Sequence, residues 1–234
     1  MVHDNPLFER LHQATRLSHR RLEPQVDIYR PNFDLHDYRR LLQDFWGFYQ
    51  PLERKLAVLT DHIFPSLYSR ERYKTPYLEQ DLLSLGMTEP DIATLPLCGR
   101  LPALPTLPQA FGVLYVIDGA VLGRRIATTH LADILGISSS QGGAFFSSLS
   151  SSYNVPLNSS WQEFIAMTAT MENPDHQDLV VQSAVDTFEC LETWLDHRKR
   201  SPRTNSMSRN SLRWSAQLEP ELFCAERLGD IRVA

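Results

Sequence analysis

Apolar residues recur at helical spacing along most of the chain, beginning close to its amino end. Asn5-Pro6 is typical of a helix N-cap followed by proline at the first helical position, and Glu23-Pro24 is expected to end that helix. The apolar face of this first predicted helix carries Phe8, Leu11, Thr15, Leu22 and the flank of His19.

The same periodicity predicts further helices and no strand of any length. The segments are a helix over about 36–59, a short helix over 78–83, an extended proline-rich connector over 95–108, a long helix over about 109–135 that is interrupted or bent near its glycines, a loop with a short helix over 138–160, and helices over about 161–171 and 176–197. The sequence therefore predicts an all-α protein: a single-domain bundle of six to eight helices over residues 1–200. A C-terminal extension over 201–234, expected to be poorly ordered, would follow.

Composition excludes several classes of protein but does not identify one. The 234 residues are 42% hydrophobic and 22% charged, with a net charge of -5, which argues for a globular protein that binds neither nucleic acid nor membrane. Cys98, Cys190 and Cys224 are far apart in sequence, which excludes a zinc knuckle and argues against a disulfide framework. No signal peptide or membrane-spanning stretch is evident, so a cytoplasmic location is expected.

Two histidines lie on the buried side of the first helix. His12 and His19 are nearly two turns apart and share a face, so periodicity alone cannot choose between them. Neutral imidazole is a common axial ligand of haem iron, but a core-edge histidine with a satisfied hydrogen bond explains either residue equally well. Thr15 lies between them, where its hydroxyl could orient a ring or a ligand carboxylate.

Gly119 and Gly123 lie one turn apart in the long predicted helix. Each costs about 1 kcal/mol relative to alanine in a helix, which suggests that something approaches the backbone there. A neighbouring helix is one explanation and a flat cofactor is the other. Nearby, Asp118 could begin a polar network or face solvent. Arg16 and Arg124 could meet acidic groups of a ligand, and Phe188 could line an apolar pocket or be plain core.

Four segments in order resemble the haem oxygenase family, most closely the bacterial branch associated with phytochromes. They are Leu11–Glu23, Tyr38–Glu53, Leu78–Leu82 and Leu114–Gly123, the last continuing to His130-Leu131. Less specific similarity continues through Phe145-Phe146, Trp161 and Ala184–Leu195, so that the resemblance covers about 7–198. No single segment is specific to the family, but four segments in the order of the family pattern are.

The resemblance implies the residues of a haem site. It selects His19 as the proximal iron ligand and places His12 and Thr15 beside the ring. It matches Gly119 and Gly123 to the distal-helix glycines whose backbone lies against the haem. The implied reaction is oxidative cleavage of haem to biliverdin, carbon monoxide and ferrous iron. Haem is then both cofactor and substrate, O2 is consumed, and electrons come from an external donor, ferredoxin or another reductase.

The sequence also departs from the family pattern. Arg124 replaces a small residue after the second glycine, and Ser147-Ser148-Leu149 replaces a glycine-aromatic-glycine element. Gln162 and Ala166 stand where some relatives carry basic residues. These departures keep two alternatives open: a haem-binding carrier or sensor without turnover, and a haem-free helical interaction module. A partnership with a biliverdin-binding phytochrome follows from the resemblance alone.

Overall fold

A computed structural model describes residues 5–63, 73–119, 121–148, 166, 168, 169 and 171–200 of the chain, although the side chains of 60–63, 119 and 121–126 lie outside that description. The described residues all belong to one compact unit, Met1–Ser201. Within them the protein is helical and contains no β-strand, which confirms the predicted all-α fold. No helix among them is both long and apolar enough to cross a membrane.

Eight α-helices lie within the described part of the chain. They are α1 (Pro6–Leu22), α2 (Leu35–Ile63), α3 (Thr75–Ser84), α4 (Glu89–Ala93), α5 (Leu107–Gly119), α6 (Val121–Leu135), α7 (Ala144–Ser147) and α8 (Pro174–Arg200), with a short 3₁₀ turn at Glu23–Gln25 after α1.

The first helix begins and ends where its sequence predicts. The Asn5 side chain accepts hydrogen bonds from the backbone N–H groups of Leu7 and Phe8, which would otherwise lack partners in the first turn. Glu23 closes the helix, and its N–H donates to the carbonyl of His19. Both the cap and the stop are local, which is why the sequence alone locates this helix.

The long helix α2 supplies much of the aromatic core. Tyr38 and Phe48 are fully buried on it. The Phe45 ring lies 5.5 Å from that of Phe145 in α7, and the Tyr38 hydroxyl donates to the carbonyl of Gly142 just before α7. The Phe145-Phe146 pair is therefore core packed against α2.

Helix α8 forms a common support for α1 and α5, because both pack along it. Helix α1 runs in the same direction as α8: Arg10 bonds to Gln177 near the start of α8, and Arg21 bonds to Glu192 further along. Helix α5 approaches α8 so closely at Gly112 that the Ser183 hydroxyl reaches the carbonyl of Gln109 at 2.8 Å. The two helices predicted to flank a cofactor thus share one supporting helix.

Several boundaries differ from the predicted ones. Helix α2 continues to Ile63 with Pro51 inside it, and α8 starts at Pro174 and ends at Arg200. Helix α4 was not predicted, although Thr88 and Asp91 form a capping box at its start. The long helix predicted over about 109–135 corresponds to α5 and α6, and Ala120 between them lies outside the described residues. Most of the helix predicted at 161–171, and the whole extension 201–234, lie outside the described residues.

Candidate functional site

His19 lies on the last turn of α1, half-buried at the contact with α8. Its ring meets the ring of Phe188 edge-on, with centroids 6.1 Å apart. Its Nδ1 lies 3.2 Å from Oε1 of Glu23, one turn further along the same chain. A carboxylate at that distance favours the tautomer with the proton on Nδ1, which leaves the Nε2 lone pair as the ligand atom.

Thr15 shows which side of α1 faces α5. It is buried one turn before His19, donates to the carbonyl of Leu11 at 2.8 Å, and shares a side-chain hydrogen bond with Tyr115 of α5. The Tyr115 ring also meets the ring of Phe8 edge-on at 6.0 Å. Residues one turn apart share a helix face, so His19 belongs to the side of α1 that turns toward α5.

Burial raises the pKa of Tyr115, and its side-chain hydrogen bond with Thr15 partly offsets that rise. The phenol therefore stays protonated at neutral pH. It joins α1 and α5 as a neutral contact, which places no formal charge between the two helices at this level.

Both glycines have helical backbone, on either side of Ala120, which lies outside the described residues. Gly119 is the last residue of α5, and Gly123 follows in the first turn of α6. Gly119 lies one turn beyond Tyr115 along the same helix, so the contact between α1 and α5 falls just before the glycine segment. The structure thus brings the backbone of this segment next to the turn of α5 that contacts α1.

For the other residues that were predicted to contact the ligand, the structure gives their burial and, for Phe188, one ring contact. His12 is half-buried and Arg16 is exposed on α1. Phe188 is buried on α8 beside His19. The side chain of Arg124 lies outside the described residues.

Two side-chain pairs near these residues were not predicted from the sequence. Glu23 was interpreted only as the end of α1, although its spacing of one turn from His19 already allowed the pairing. Asp118, immediately before Gly119, is buried and paired with Lys74. Within the described residues, a separate open pocket between the end of α6 and α7 contains none of the predicted ligand residues; Thr128, Leu131, Ile137 and Phe146 line part of it.

Comparison with known proteins assigns the family. The sequence model of the heme oxygenase family matches residues 5–197. The chain belongs to the heme oxygenase family, and its helical fold is consistent with the all-α fold of that family. Membership implies haem as the bound substrate and an oxidoreductase role in haem degradation. No curated protein matches this chain.

Proposed function

We propose that this protein is a haem oxygenase that cleaves haem to biliverdin, carbon monoxide and ferrous iron, using O2 and electrons from an external reductase. The observation that carries the proposal is the arrangement at His19. The imidazole has Nδ1 beside the Glu23 carboxylate, rests on Phe188, and lies on the side of α1 that turns toward α5. These residues fit a histidine-ligated haem, because a histidine that ligates a metal usually gives its other ring nitrogen to a carboxylate or carbonyl.

Bound haem supplies the iron and the macrocycle on which O2 is reduced and the ring is opened. The protein supplies position. His19 would hold the iron through Nε2, Glu23 would keep the orientation of the imidazole, and Phe188 would limit its tilt. Gly119 and Gly123 add no side chain, so the backbone there could lie close to the ring and exclude solvent.

Four further residues belong to the proposed site at the edge of the ring. Thr15 fixes the level at which α1 and α5 approach. His12, Arg16 and Arg124 are the candidates for contact with the acidic groups of haem, because cationic and polar donors suit carboxylates. A ferredoxin-type donor and a phytochrome partner rest on the family resemblance, and a cytoplasmic location rests on the lack of a disulfide pattern in the sequence.

Replacing His19 by Ala tests the assignment, and His12→Ala is the matched control on the same face of the same helix. The full-length protein is titrated aerobically with haemin and then reduced, and the absorption spectrum is followed. We expect His19→Ala to lose the histidine-ligated Soret spectrum and most turnover, whereas His12→Ala keeps the histidine-ligated spectrum because His12 is not the iron ligand. A normal spectrum and normal turnover in His19→Ala would remove the basis of the proposal.

Arg124 favours a second candidate, a haem carrier or sensor without turnover, because it stands where relatives carry a small residue. Ascorbate or a ferredoxin system added to the haem-loaded protein separates the two functions. Appearance of biliverdin supports the enzyme, and a persistent Soret band supports the carrier. Failure to take up haemin at micromolar concentration would instead indicate a haem-free interaction module.

A further inference from the structure

A buried ion pair ties the carboxyl end of α5 to the segment that begins α3. The ammonium Nζ of Lys74 lies 3.1 Å from Oδ1 of Asp118, and the two side chains are only 7% and 11% exposed. Asp118 is the residue directly before Gly119, the last residue of α5. The pair therefore acts on the final turn of α5, beside the glycine segment.

Lys74 is itself held in place by a third charged residue. The Glu53 carboxylate, 2% exposed on α2, accepts hydrogen bonds from the backbone N–H of Lys74 at 2.6 Å and of Thr75 at 3.1 Å, and from the Thr75 hydroxyl. The N–H groups of Lys74 and Thr75 lie at the start of α3, where the first N–H groups have no partner within the helix. A connection thus runs from α2 through Glu53 and Lys74 to Asp118.

We propose that Lys74 and Asp118 are positioning residues that hold the backbone at Gly119 in register with the substrate. The inference rests on the proposed function. A buried ion pair is weak evidence for stability, since apolar residues of similar volume often serve as well, but its geometry is directional. Asp118 lies on the same turn of α5 as Gly119, so its pairing with Lys74 restrains that turn laterally.

The chain contains a matched control for this pair. Nε of Arg198 lies 2.6 Å from Oδ1 of Asp44, with side chains 16% and 9% exposed. That pair joins the end of α8 to α2 and involves no residue of α5 or α6. Its loss should affect folding in a similar way without displacing the glycine segment.

The test uses haem-loaded, full-length protein with ascorbate or ferredoxin as the electron source, and separates the biliverdin isomers formed by opening different ring carbons. We expect Lys74→Met to change the isomer ratio and to lower kcat by about tenfold to a hundredfold, with a smaller change in KM, because a displacement near 1 Å at the reacting ring is enough for such a loss. Arg198→Met should keep the wild-type ratio, and Lys74→Arg, which retains the charge, should restore part of it.

A double variant, Lys74→Met with Asp118→Leu, covers the case in which the single variant does not fold. It removes both charges of the pair together, so we expect a folded protein that still forms an altered isomer ratio. A wild-type ratio in the double variant or in Lys74→Met would overturn the positioning role alone. Wild-type protein that takes up haem but forms no biliverdin would overturn the proposed function and this inference together.

Discussion

Gly112 is the position where adding one methyl group should be most informative about the fold. It lies inside α5, where alanine has the higher helix propensity by about 1 kcal/mol. A Cβ built there would lie 2.7 Å from the backbone nitrogen of Ala184 and 2.7 Å from Cβ of Ser183, and closer still to the carbonyl oxygen of Val180. The two effects have opposite signs, so the measured change in stability decides which one dominates.

The size of the effect follows from these distances. Ordinary van der Waals contact begins at 3.4 Å, so α5 and α8 must separate by about 0.7 Å or more. The obstructing atoms are mostly backbone, which cannot rotate away. Overpacking of this kind costs about 1–3 kcal/mol and sometimes more. Taking the upper part of that range and subtracting the gain in propensity leaves a net loss of about 2 kcal/mol.

Thermal unfolding of the full-length protein measures this loss. For a chain of this size a loss of about 2 kcal/mol lowers Tm by roughly 4–8 °C. Gly99→Ala is the matched control, because a Cβ at Gly99 meets nothing within 4 Å, and its Tm should stay near that of the wild type. If Gly112→Ala melts at or above the wild-type temperature, helix propensity outweighs the close contact and our description of the α5–α8 interface is wrong.

Three other predictions follow from buried or paired charges. Glu23→Gln should weaken haem binding by about tenfold to a hundredfold, because it removes the carboxylate beside Nδ1 of His19; a haemin titration indistinguishable from wild type would contradict this. Lys74→Met should lower the free energy of unfolding by about 3–5 kcal/mol, because it leaves Asp118 buried without its cation; urea denaturation should show most of that loss recovered when Asp118→Leu is added, and no recovery would refute the explanation. Burial raises the pKa of Asp81 from 3.8 to about 6, against the opposing effect of two backbone N–H donors. Between pH 3.8 and about 6 Asp81 binds more protons in the folded protein than in the unfolded chain, so the free energy of unfolding decreases as the pH rises. The stabilising contribution of Asp81 is complete below pH 3.8 and is lost as the pH rises through about 6. The difference in unfolding free energy between wild type and Asp81→Asn should follow this slope, and a difference that is flat from pH 4 to 7 would disprove it.

The features that the sequence predicts correctly are those set by local chemistry. Helix α1 depends on the Asn5 cap and on a periodic apolar face, both of which lie within one segment. The short helix α4 was missed because five residues are too few for periodicity to register, although the Thr88 capping box was present in the sequence.

The contacts that depend on tertiary packing could not be predicted in the same way. Lys74 and Asp118 lie far apart in sequence, and nothing local to either residue indicates its partner. Asp118 was recognised as a possible start of a polar network, but its partner becomes apparent only when the segment before α3 packs against α5. The contact of Tyr115 with Thr15 likewise depends on how α5 and α1 lie on α8.

The shared support of α1 and α5 on α8 has a consequence for how the protein can change. The gap between the two helices is determined largely by a third helix that supplies neither the predicted iron ligand nor the glycine segment. The side chain of Ser183, which contacts α5 from α8, can therefore widen or narrow that gap by its volume. Among homologous proteins, substitutions on the face of α8 that packs against α1 and α5 can therefore change how the substrate fits. Every residue that touches the ligand can stay unaltered.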